Sequence, residues 1–156
     1  MRRLGLLCGI AVLVACEKPK EQPAADTTAA AEPAPAPAAP APISLADVAG
    51  KWTMRTMPED ADTTLLTFEL DAKADTSGWI FNFPKRKPVP VHVTTSGDSI
   101  ITEAGPYESV LRKGVQVKTN SVMWLKDGKL VGNTVAHYAS GADTVRRLRT
   151  EGTRKP

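Results

Sequence analysis

The sequence is poor in the residues that carry most recognisable chemistry. Both of its cysteines, Cys8 and Cys16, fall at the N-terminal end. From residue 17 onward there is no thiol, which excludes a disulfide framework, a cysteine metal site and a cysteine nucleophile in that region. The two histidines, His92 and His137, sit on segments that read as different strands, so no metal site is expected. There is no Gly-x-Ser-x-Gly, no phosphate-binding glycine loop and no His-Glu-x-x-His, and Lys118-Thr119-Asn120 has no accompanying Ser-x-x-Lys. The chain is therefore read as non-enzymatic, with no catalytic residue and no cofactor. No apolar run approaches the roughly 20 residues of a membrane-spanning helix. No long amphipathic helical pattern occurs. Twenty Lys and Arg against 17 Asp and Glu leave a net charge of +3, too small a surplus for a nucleic-acid footprint.

What is present begins at the N-terminus. Arg2 and Arg3 precede an apolar run from Leu4 to Ala15 that is about a dozen residues long, the layout of a signal-peptide hydrophobic region. The run ends Leu13-Val14-Ala15-Cys16. This tetrapeptide resembles the lipobox of bacterial lipoproteins. The resemblance implies cleavage before Cys16, with residues 1–15 removed as signal peptide. It also implies that the Cys16 thiol carries a diacylglyceryl group and its amine a further acyl chain such as palmitate. One acyl chain holds a protein to a bilayer only marginally, whereas two or more anchor it stably. The membrane is thus an expected partner through the lipid on Cys16. Glu17 and Lys18 follow the cysteine, with no aspartate. By resemblance to lipoprotein sorting in Gram-negative bacteria, this implies an outer-membrane anchor and a domain facing the periplasm.

Residues 16–42 are Ala, Pro, Thr, Gln and charge, with no aromatic residue and no aliphatic side chain larger than alanine. Such a segment cannot bury enough apolar surface to offset the entropy of ordering. Its Ala-Pro alternation favours extended polyproline geometry. It is expected to be a disordered linker.

Composition changes at Ile43. Residues 43–156 hold all three Trp, all three Phe and both Tyr, enough for one domain with an ordinary core. Ser44 to Ala49 predicts a single helical turn ending at Gly50. Beyond it, apolar and polar residues alternate with period two: Leu66, Phe68 and Leu70; Trp79, Phe81 and Phe83; Val89, Val91 and Val93. That period argues half-buried strands. About eight strands are predicted, near 51–57, 63–71, 77–83, 89–96, 98–104, 107–118, 118–126 with 129–139, and 142–150. The 107–126 stretch is either one bent strand or two meeting near Gly114. Asp127-Gly128 is the strongest hairpin signal, because a type I′ turn needs positive φ at both central residues. A two-residue turn there pairs Leu125 with Leu130, Met123 with Gly132, Ser121 with Thr134 and Val117 with Tyr138, on the inward face. A similar turn at Ser140-Gly141 would set Thr134 opposite Arg147 and Gly132 opposite Arg149. The fold class is all-β: an antiparallel meander of about eight strands closed into a small barrel, whose interior can hold one small ligand.

Gly50-Lys51-Trp52 opens the first strand, and Arg149 lies in the last, followed by Gly152-Thr153-Arg154. This resembles the calycin group, the lipocalins and their relatives, in which a first-strand Gly-x-Trp meets a late arginine at the closed end of the barrel. The resemblance implies a lipocalin-like barrel with Trp52 and Arg149 as structural closure residues, Arg154 being the other candidate. It also implies a small apolar or amphipathic ligand. Phe68, Trp79, Phe81 and Phe83 are the candidate pocket wall. Lys85-Arg86-Lys87, between Pro84 and Pro88, is a compact basic loop suited to anionic groups. Pro58 to Asp62 is an acidic loop without the full set of alternating ligands of a calcium site. Two readings follow: a ligand-binding envelope barrel, or an interaction module docking an envelope protein through its outer surface.

Overall fold

The structure, a computed structural model, describes residues 41–156; the expected signal peptide, Cys16 and the expected linker up to residue 40 lie outside the described residues. One helical turn, α1 (Leu45–Val48), precedes eight strands. These are β1 (Gly50–Pro58), β2 (Leu66–Ala72), β3 (Trp79–Asn82), β4 (Val89–Ser96), β5 (Ser99–Glu108), β6 (Gln116–Lys126), β7 (Lys129–Tyr138) and β8 (Val145–Arg154). Each strand pairs antiparallel with the next, and β8 returns to β1, so the sheet closes into a barrel. Closure leaves no unpaired edge to template aggregation. The all-β meander expected from the period-two patterning is the observed architecture.

The turn chemistry explains the register. Asp127 (φ 50°) and Gly128 (φ 73°) both adopt positive φ, as a type I′ turn requires. Leu125 then pairs with Leu130, Met123 with Gly132, Ser121 with Thr134 and Val117 with Tyr138, as the hairpin signal predicts. The 107–126 stretch resolves into two strands separated by a loop over residues 109–115. The segment before it stays in one strand, β5, across an irregularity between Ala104 and Tyr107.

The last strand departs from expectation. Tyr138 ends β7 and Val145 begins β8, so the connection is longer than two residues. The Tyr138 amide bonds the Thr144 carbonyl across it at 2.7 Å. Thr134 consequently faces Leu148 and Asn133 faces Arg149. A one-residue slip moves every side chain of a strand to the other face of the sheet. Arg147 and Arg149 therefore point outward, and the inward set of β8 is Leu148, Thr150 and Gly152.

The barrel is packed solidly at one end. Trp52, Leu70, Trp79, Val93, Ile100 and Leu130 are fully buried there, with Val48 of α1 laid across them. Both indole N–H groups are satisfied by carbonyls four residues upstream: Trp52 Nε1 donates to Val48 O (2.8 Å) and Trp79 Nε1 to Asp75 O (2.7 Å). A buried Trp needs such a partner. The opposite end is formed by the loops after β1, β3, β5 and β7.

Candidate functional site

The interior changes character halfway up. Above the packed end, Phe68 and Phe81 meet edge to face at 5.0 Å, and Phe68 and Phe83 lie 5.0 Å apart at 40°. These three rings, projecting from β2, β3 and the residue just beyond it, make one wall. The facing wall is hydroxylic. Thr102 of β5 pairs with Ser121 of β6, which pairs with Thr134 of β7. Thr150 of β8 pairs with Thr56 of β1. Ser121 Oγ and Thr134 Oγ1 are 2.8 Å apart, as are Thr134 Oγ1 and Thr150 Oγ1, so the three hydroxyls form a buried chain. Two oxygens are buried without a partner in hydrogen-bond geometry among the described residues: that of Thr102, which does not line the cavity, and that of Thr119, which does and lies beside the Tyr107 phenol.

Between the two walls lies a cavity of about 50 Å³. Met54 and Met123 form its floor, and Val110 and Leu111 of the β5–β6 loop its roof. A water needs roughly 10–15 Å³ by this measure, so a few waters fit. Ligand sites for drug-sized molecules run to about 300–1,000 Å³. The barrel is mostly filled, and a larger ligand has to move the roof or the floor. The floor is adaptable, because methionine is unbranched and repacks readily.

The roof loop is tied down by polar bonds. Ser109 Oγ accepts from the amides of Leu111 (3.1 Å) and Arg112 (3.0 Å), and the Ser109 amide donates to Val115 O at 2.8 Å. Arg112 lies over the Tyr138 ring at 4.0 Å and donates to Asp143 O at 2.6 Å, joining this loop to the β7–β8 connection. Tyr107 sits at the cavity's edge, stacked on Phe83 at 5.4 Å. Burial pushes its phenol above the usual tyrosine range; the Thr119 hydroxyl works against that shift and Tyr138 adds to it.

The sequence-derived candidates are distributed unequally. Phe68, Phe81 and Phe83 line the cavity. Trp79 does not; it belongs to the packed end. Trp52 is buried there as well, and its cationic partner is Arg154, whose guanidinium lies 4.4 Å from the indole centroid. Arg149 is not that partner. It faces outward and bonds Ala61 O (3.1 Å) and Asp62, tying down the acidic β1–β2 loop. Asp62 holds its guanidinium further above the ordinary arginine range. His92 and His137 are both exposed on separate strands. Tyr107, Thr119 and Thr150 were not legible as site residues. For Tyr107 the only signal was an aromatic residue after Gly105-Pro106.

The basic loop borders a second concavity. Lys85, Arg86 and Lys87 line an open groove of about 670 Å³ with Pro88, Pro106 and Glu108, next to the Phe83–Tyr107 pair. Arg86 Nη1 donates to Glu108 O at 2.8 Å and lies 3.9 Å from the Glu108 carboxylate. Among the described residues, Lys85 and Lys87 form no ion pair. Comparison of the chain with protein-family models, curated proteins and solved structures finds no match.

Proposed function

We propose that this protein is a non-catalytic, lipid-anchored module of the bacterial cell envelope whose barrel holds a small amphipathic molecule at its open end. Cys16 carries the anchor, residues 16–42 are the tether, and the domain from Ile43 works on the periplasmic side of the outer membrane. The observation that carries the binding reading is the two-walled cavity. Opposite three phenyl rings it sets the hydroxyls of Ser121, Thr134 and Thr150 and the Thr119 oxygen, which has no hydrogen-bond partner among the described residues. A purely structural core would not keep such a group, because an unpartnered buried hydroxyl costs about 1–3 kcal/mol. A ligand with an apolar body and a polar edge satisfies both walls. The test is titration of the isotope-labelled Cys16→Ser chain with phenol and short alcohols. Saturable amide shifts at Thr119, Ser121 and Thr134, abolished by Ala136→Phe, support the reading. No saturable shift with any probe removes it.

A second reading is docking to an envelope protein. Val145 is half exposed beside Arg146 and Arg147, which form no ion pair among the described residues. Crosslinks from that face to one partner, in cells, would favour it.

A further inference from the structure

Phe83 and Tyr107 border both the cavity and the groove. On one side of this stacked pair are Phe68, Phe81 and the methionine floor. On the other are three cations on one short loop, with one carboxylate, Glu108, which Arg86 already engages through both its carbonyl and its side chain. Lys85 and Lys87 carry the uncompensated charge. The loop is also held in a conformation that non-glycine residues rarely adopt: Lys85 has φ 59°. Positive φ at a side-chain-bearing residue persists only where the surroundings enforce it. The Arg86 amide bond to Phe83 O, at 3.3 Å, closes this turn directly onto the cavity wall. Apolar interior and cationic exterior are thus one aromatic pair apart.

We propose that the ligand is an anionic amphiphile: its apolar end enters the cavity between the phenyl and hydroxyl walls, and its phosphate or carboxylate head lies in the groove against Lys85 and Lys87. This rests on the reading of the cavity as a ligand site and adds the charge of the ligand and the place of its head. Entry of the chain displaces Met54 and Met123, which repack, and swings the Phe83–Tyr107 pair aside. Two ammonium groups that hold no partner of their own attract an anion without first breaking an ion pair. Arg86, braced on Glu108, shapes the groove and is not expected to change partners.

The experiment compares four probes on the Cys16→Ser chain by calorimetry, below micelle-forming concentration: decyl phosphate, decyl glycerol ether, decyltrimethylammonium and inorganic phosphate. The expected result is decyl phosphate at least tenfold tighter than the neutral ether, with the cationic probe weakest. Raising salt should weaken decyl phosphate and leave the ether unchanged, since exposed charges are screened over roughly 8–10 Å. In Lys85→Gln/Lys87→Gln the phosphate advantage should vanish while the ether binds as before, which also shows that the variant is folded. Equal binding of the three decyl probes overturns the inference and leaves the amphipathic-ligand reading standing. Inorganic phosphate binding as tightly as decyl phosphate overturns it too, reducing the groove to a bare anion site. Absence of binding by every probe removes both.

Discussion

Arg154 lies over Trp52, its guanidinium 4.4 Å from the ring centroid, and donates to Ala49 O and Asp47 O at 2.5 Å each. One side chain at the end of β8 thereby caps the packed end of the barrel, satisfies two carbonyls around α1 and shields a fully buried indole. The closure contact pairs Trp52 with the last residue of the sheet, Trp52 facing Arg154 in register.

That relationship separates two arginines that look alike in sequence. Arg154→Ala should lower unfolding stability by about 1–2 kcal/mol, from the lost cation–π contact and charged hydrogen bonds, discounted for exposure. Arg154→Lys should retain only part of this, because an ammonium cannot stack flat while bonding two carbonyls. Arg149→Ala removes a largely exposed ion pair and should change stability little, and by less than Arg154→Ala. Urea unfolding followed by tryptophan fluorescence ranks the three. Equal losses for Arg149→Ala and Arg154→Ala would contradict the assignment of Arg154 as the closure residue.

The contrast between these arginines also shows where sequence reading stops. The β6–β7 hairpin was legible to the residue, because Asp127-Gly128 selects one turn type and the turn fixes the register. The β7–β8 connection carries only Ser140-Gly141, which fits several loop lengths. Seven residues, Tyr138 to Thr144, separate the last pair, His137 and Val145, and an odd number in place of two slips the register by one and turns Arg149 outward. The phenyl wall was legible as alternation on β2 and β3. The hydroxyl wall was half legible, through the Ser121–Thr134 pair, but Thr150 and Thr56 depended on the mistaken register and on barrel closure. The volume of the cavity was not legible at all. It is the small difference between the space eight strands enclose and the side chains that fill it, and no periodicity encodes that difference.

Gly132 is an interior position where a side chain has no room. A Cβ there would lie 2.2 Å from Val122 O and 2.8 Å from Met123 Cα, both backbone atoms of β6. Gly132→Ala should therefore destabilise by about 1–3 kcal/mol or more, as overpacking does when backbone has to shift. At Gly152 the nearest atom is the Met54 sulfur at 2.6 Å, the far end of a flexible side chain. Gly152→Ala should be milder and should tilt Met54 into the cavity. Thermal unfolding orders the two, and weaker phenol binding by Gly152→Ala alone marks the shrunken cavity.

Tyr107 gives the barrel a stability that depends on alkaline pH. Burial raises its phenol above the ordinary tyrosine range, so the folded state holds this proton more tightly than the unfolded state. A group whose folded pKa is raised contributes stability that is fully present below the unfolded value and lost as pH rises through the folded one. Unfolding stability should accordingly fall as pH climbs past about 10, with a shallower fall in Tyr107→Phe. Tyrosinate absorbance, titrated for both proteins, identifies the missing ionisation as the high one. An alkaline slope identical in wild type and Tyr107→Phe would show that Tyr107 is not its source.

The hydroxyl chain Ser121–Thr134–Thr150 distinguishes a polar feature kept for binding from one kept for folding. Thr134 is the middle member and bonds both neighbours. Thr134→Val keeps the shape but leaves the Ser121 and Thr150 oxygens without this partner, and should destabilise by about 1–3 kcal/mol. Removing all three hydroxyls, as Ser121→Ala/Thr134→Val/Thr150→Val, leaves no orphan in the chain and should recover most of that loss, since replacing both partners by apolar groups of similar shape is nearly neutral. The triple variant should therefore fold about as well as wild type and yet bind phenol several-fold more weakly, having lost the wall that meets the ligand's polar edge. Chemical denaturation and the phenol titration together give the answer. A triple variant less stable than Thr134→Val, with binding intact, would make the chain a structural strut and leave the phenyl wall to account for the ligand alone.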